Sequence, residues 1–178
     1  FHRVVSHNFS ENMIIELFGL PASGKSTLAR KLEREGYTNV HINSRIELVF
    51  LNVLFFLRFP LRTIHMYLYL VRYGSSFELF YHKFMNLFLE HNARYEKASR
   101  MKRAILDQGH FQNLLSLFEE MPPARTLAHY VTLLPRPDLL IVLETSSGER
   151  ARRIDVRGKI PREDFGAAYA TGWMHSVE

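Results

Sequence analysis

No cysteine occurs in the 178 residues. That excludes a disulfide framework, a thiolate metal site and a cysteine nucleophile, and it fits a cytoplasmic location. No run of five or more basic residues appears, so the chain lacks the charge footprint of a nucleic-acid binder and no nucleic-acid partner is expected. The most apolar stretch, "LVFLNVLFFL" (48–57), is half the length a bilayer crossing needs, so no transmembrane span is expected. Low-complexity tracts and internal repeats are also missing. Residues 1–12 contain no apolar core of a signal peptide. They read as a leader or an artificial extension ahead of a single domain, 13–178.

What is present is globular: 47% hydrophobic and 23% charged residues, enough for one sizeable core. The net charge is +5, and 17 of the 23 basic residues are Arg. Guanidinium groups grip phosphate oxygens in pairs, so this excess suits a phosphate-handling protein.

The most informative stretch is "GLPASGKST" (19–27). "MIIELFG" before it reads as a buried parallel strand, and "KSTLARKLEREG" after it as a helix closed by Gly36. Strand, loop and helix are the context in which G-x-x-x-x-G-K-[ST] binds phosphate. The loop Gly19, Leu20, Pro21, Ala22, Ser23 and Gly24, through the backbone amides of all but Pro21, forms with the helix N-terminus one anion-binding concavity. Lys25 supplies a mobile cation, Ser26 a hydroxyl for Mg²⁺, and Thr27 lies near the α-phosphate. Ala22 stands where such loops commonly carry Gly. Because Ala tolerates positive φ poorly, an ordinary backbone region is expected there. Glu16 lies inside the strand and needs a partner, either an Arg or the solvent of a sheet edge.

Three further strands follow: 38–43, 103–109 and 137–144, the last near-continuously apolar and expected to be central. Helical patterns separate them, so the fold class is α/β with a parallel sheet and right-handed crossovers. Residues 44–100 are too long for a plain crossover and form a helical insert. A helix is expected over 45–59, a second from Pro60 to Gly74, and a third after a Ser75–Glu78 capping box. The aromatic faces of this insert are expected to build an acceptor pocket lined by Arg45, Phe77, Tyr81 and Phe84. A homodimer contact or a peripheral membrane contact are the other uses of these faces.

Asp107 ends the third strand, at the carboxyl edge where ligands of such sheets collect. It is expected to hold a Mg²⁺ water or to accept a proton. His110, just beyond, faces the acceptor in the same reading. Arg150, Arg153 and Arg157 are spaced to share one helix face, a natural site for a nucleotide triphosphate. Gly158, Lys159 and Pro161 then read as a closing lid.

"IELFGLPASGKST", "ILDQG" and "PDLLIVLETSSGERARRIDVRG" together resemble the P-loop nucleoside/nucleotide kinase group, thymidylate-kinase-like proteins in particular. The resemblance covers about 13–43 and 101–165. It implies a three-layer P-loop NTPase fold with sheet order 2-3-1-4, a fifth strand that is not visible here, ATP and Mg²⁺, and lid arginines at Arg153 and Arg157. Position 108 is Gln where the group carries Arg. The activity implied is ATP-dependent phosphotransfer to a small acceptor, a nucleoside or nucleotide among the candidates. The alternative is a regulatory NTPase that uses the insert as a docking surface.

Overall fold

The computed structural model describes residues 12–73, 77–118 and 122–157. Four parallel strands, β1 (Met13–Phe18), β2 (Thr38–Asn39), β3 (Arg103–Leu106) and β4 (Leu139–Val142), form a sheet of order β2-β3-β1-β4. The central strand β1 pairs Ile15 with Ile105 on one side and with Leu139 on the other. Alternation along β1 divides the core. Met13, Ile15 and Leu17 pack with Ala29 of α1 (Lys25–Arg34), while Ile14 packs with Phe55, Tyr95 and Ala98 from the helices on the opposite face. The result is the three-layer arrangement expected of strand–helix alternation.

β2 is shorter than expected. Beyond Asn39 only the Val40 amide still reaches β3, donating to the Ile105 carbonyl at 3.0 Å. β4 was expected to be central and is instead an edge among the described residues, with Leu139 and Val142 exposed. A continuous apolar run is the usual mark of a strand buried on both faces, but here it belongs to an edge strand none of whose four residues is fully buried.

The insert consists of α2 (Arg45–Arg58), α3 (Pro60–Tyr73), α4 (Phe77–Lys83), a π-helical segment (Phe84–Leu89) and α5 (Glu90–Ala98). Ser44 caps α2 by accepting the Glu47 amide at 3.1 Å, and Glu47 accepts the Asn43 amide at 2.7 Å. The capping box expected at Ser75 falls on residues outside the described set, as does Gly74. Two short helices, α6 (Leu114–Leu117) and α7 (Ala124–Leu133), join α3 and the π-helical segment in a second core around Met66, Phe88, Leu117 and Tyr130. The buried Lys83 ammonium donates to the Tyr73 and Leu117 carbonyls, so one cation serves the C-terminal ends of α3 and α6. α8 (Ser147–Arg157) follows β4.

Asn52 interrupts the apolar run of α2 for a reason. Its side-chain amide donates to Leu48 O at 2.8 Å and to Leu89 O at 2.9 Å, at the end of the π-helical segment. Replacing Asn52 by Leu leaves the Leu89 carbonyl without that donor and is expected to cost about 1–3 kcal/mol. Chemical denaturation of the variant beside the parent chain measures this, and an unchanged midpoint would remove the contact from the account.

Candidate active site

The phosphate loop runs from the end of β1 into the first turn of α1, and its shape is set by its backbone. Gly24 has φ 101° and Ala22 has φ 63°. The expectation of an ordinary conformation at Ala22 is therefore corrected: this residue takes the left-handed conformation that alternating amide nests require, and bears the strain of its Cβ. Ala22 Cβ is buried, and its carbonyl accepts from Arg153 Nη1 at 3.1 Å. Lys25 Nζ curls over the loop to donate to Gly19 O at 2.6 Å and Leu20 O at 3.0 Å. Ser26 and Thr27 are exposed at the start of α1.

Glu16 explains how the neighbouring loop is held. Its side chain is fully buried on the insert face of β1, and Oε1 accepts the amides of Phe111 at 2.6 Å and Gln112 at 3.2 Å. Neither an Arg partner nor a sheet edge is involved; the partner is main chain. A Cβ built on Gly109 would lie 2.4 Å from the Glu16 carboxyl carbon, so only glycine lets the segment approach this closely. Gln112 closes the link, since its Oε1 accepts the Gly19 amide at 3.0 Å. Burial pushes the Glu16 carboxyl up from 4.5 to about 7, against the lowering effect of the amides.

These links bring two walls together. A cavity of about 330 Å³ is bounded on one side by the phosphate loop from Pro21 to Ser26, and on the other by Leu87, His91, Gln108, Gln112 and Ser116. The second wall comes from the π-helical segment, α5 and the chain following β3. A second cleft, of about 360 Å³, shares Ser23 and Gly24 and is bounded by Thr27, Lys31 and Arg153. Burial, helped by the Arg94 charge, lowers His91 to about 3, with a bond to the Gly109 backbone opposing it. His110 is also held well below its ordinary value, by burial and then by His91. Both rings are neutral at physiological pH.

The other candidate residues fall in several places. Asp107 is partly exposed and pairs through Oδ1 with Arg94 Nη1 at 3.1 Å, and Arg94 also holds Glu90. Arg153 reaches the phosphate loop and is tethered to Glu149 at 2.8 Å. Glu149 also binds Arg152, and these two guanidinium bonds hold it down at about 2. Arg150 is buried and lines a third cleft with Phe18, Leu143 and the phosphate-loop residues Gly19, Leu20 and Ser23, so it and Arg153 both border the loop, from adjoining clefts that share Ser23 and Leu143. The Arg157 side chain and the expected lid at 158–161 lie outside the described residues. Arg45 is exposed at the start of α2, and Phe77 and Tyr81 are exposed on α4. Phe84 stacks between Phe80 and Phe88, and His110 is buried against Phe55 with Nε2 on Asn92. None of these five lines the 330 Å³ cavity. Leu87 and His91 stand there instead. The helical spacing of the aromatics pointed to this helix, but the widened turn decides which of its residues face the loop.

Among the described residues no group of three His, Asp or Glu side chains could hold a metal ion. Mg²⁺ needs only one or two protein oxygens beside phosphate and water. The exposed hydroxyl of Ser26 fits that demand, and Asp107 has one oxygen committed to Arg94.

No family model matches the chain, and no curated protein matches it. Among solved structures, a deoxyadenosine kinase from M. mycoides with bound dATP is similar at 16% identity and a TM-score of 0.53, covering 93% of this chain and 81% of that one. The fold is therefore P-loop kinase-like, as the motifs imply.

The Glu16 environment has a pH signature. Between 4.5 and 7 the folded state keeps a proton on Glu16 that the unfolded chain has lost, so this group's contribution to stability falls as pH rises. His91 and His110 act in the opposite sense below 6.5, because only the unfolded chain protonates them. Glu16→Gln keeps an acceptor for the two amides and removes only the first effect. Its stability relative to the parent is expected to climb by up to about 3 kcal/mol from pH 4.5 to 7. Urea unfolding across that range tests this, and a flat difference would mean that Glu16 is ionised throughout.

Proposed function

We propose that the protein is an ATP-dependent phosphotransferase that moves the γ-phosphoryl group to a hydroxyl of a small, uncharged acceptor of nucleoside type. The observation that carries this reading is the single cavity in which the phosphate loop faces Leu87, His91, Gln108, Gln112 and Ser116. A loop used only for hydrolysis or signalling has no need of a built second wall.

The chemistry of that wall favours an uncharged acceptor. It offers amides, a hydroxyl and a neutral imidazole, and no residue lining it on the acceptor side is charged. An acceptor already bearing phosphate would call for a guanidinium or ammonium group there. Gln108 occupies the position where the group this chain resembles carries Arg. Side-chain amides both donate and accept, which suits the edge of a base or a sugar hydroxyl.

In the proposed reaction the acceptor oxygen bonds to the γ-phosphorus as the bond to the β,γ-bridging oxygen breaks. ADP leaves, and the hydroxyl proton passes to the product phosphate and solvent. Such transfers depend on positioning and charge stabilisation more than on a strong base. Lys25, released from the Gly19 and Leu20 carbonyls, follows the transferring charge, and Arg153 approaches across the loop. The second cleft, by Thr27 and Lys31, is assigned to the rest of the nucleotide. Ser26, with Asp107 through a water, would hold Mg²⁺, which supplies charge neutralisation on the phosphates.

The test is ADP release with nucleosides, nucleotides, sugars and prenyl alcohols in turn, with products identified by mass. A nucleoside is expected to accelerate release and appear as its monophosphate. Lys25→Ala is expected to lower that rate by about a thousandfold while the fold persists. Hydrolysis indifferent to every acceptor would point to an NTPase. A rate unaffected by Lys25→Ala would remove the loop from the chemistry.

A further inference from the structure

Among the described residues, the outward faces of α2 and α3 are apolar and uncovered. On α2 they consist of Ile46, Val49, Phe50, Val53, Phe56 and Leu57, and on α3 of Leu61, Ile64, Leu68 and Val71. Each of the ten is between 44% and 83% exposed. They recur at helical spacing opposite the buried residues, Leu51 and Phe55 on α2, Met66 and Leu70 on α3. Leu57 and Leu61 flank the corner at Phe59, so the two stripes meet. A face of this extent marks an interaction site.

Its chemistry selects the occupant. None of the ten side chains can make a hydrogen bond, whereas specific protein interfaces carry one for every 100–200 Å² or so. Residues 45–73 hold four Arg, of which Arg58 is paired with Glu96 at 3.6 Å, and one acidic residue, Glu47, whose carboxylate is committed to Lys97 at 2.6 Å. A second copy facing this surface would oppose arginine to arginine without an acid to answer. An anionic lipid surface supplies acyl chains for the stripe and phosphates for its rim. Taken together the two helices have the length and apolarity of a membrane segment, but they are bent by 114° and neither alone is long enough to cross. That combination describes helices lying in an interface plane with basic side chains reaching to headgroups.

We infer that the α2–α3 face docks the protein on anionic membrane surfaces. The full chain is sedimented with vesicles of phosphatidylcholine alone and of phosphatidylcholine with phosphatidylglycerol. It is expected to bind the second kind, less so as salt is raised. Phe50→Ser with Leu57→Ser, at exposed positions, is expected to lower partitioning by about tenfold without lowering the unfolding temperature. Arg45→Gln with Arg72→Gln keeps the apolar face and is expected to lose the preference for anionic vesicles. Light scattering runs in parallel. A chain that ignores both vesicles overturns the proposal, whether it is monomeric or forms a dimer that the serine variant splits; the dimer would assign the face to self-association.

Discussion

A single carboxylate in the middle of the sheet organises the phosphate end of this molecule. Glu16 is placed by β1, and its Oε1 captures two amides of the chain that follows β3. The chain can come that close because residue 109 has no side chain. Gln112, brought in by the same bonds, then holds the first amide of the phosphate loop. Two loops that are remote in sequence are thereby fixed edge to edge, and the cavity between them is a by-product of that contact. Most buried carboxylates are answered by a cation. Here main-chain amides take that place.

The distribution of charge in the site follows. Lys25 and Arg153 both lean on carbonyls of the phosphate loop. Across the cavity, burial suppresses charge on His91. One wall of the cavity thus carries the Lys25 ammonium, and the other is neutral. In a confined space such asymmetry orients a polar molecule, because the anionic end has only one wall to face.

Legibility in the sequence tracked how local each feature was. Strand, phosphate loop and α1 are contiguous, so Gly19 to Thr27 are legible directly; the alternation of elements carries the parallel sheet, and the strand order comes only with the resemblance to P-loop kinases. At Ala22 the sequence predicts the wrong backbone, because side-chain preference opposes a conformation that the loop's amide pattern demands. Glu16 invited a search for an arginine, since amides of residues 111 and 112 leave no mark in sequence. Asp107 was placed at the right edge of the sheet, but its partner Arg94 lies on α5, which helical spacing alone does not aim at a strand end. Aromaticity and charge single out Arg45, Tyr81, Phe84 and His110. The cavity instead takes Leu87 and His91, which periodicity treats as ordinary positions of one helix.

That last difference originates in the π-helical segment Phe84–Leu89, steadied by Asn52. A π turn amounts to one residue more than an α-helical turn holds. Losing a residue there would restore α-helical winding and rotate α4 by about 100° against α5, while β3 and the phosphate loop stayed in place. The cavity wall is therefore built at a point of the chain where length, as much as residue identity, is the adjustable quantity. A single-residue insertion or deletion in this segment would reshape the wall without replacing any side chain of the phosphate loop it faces.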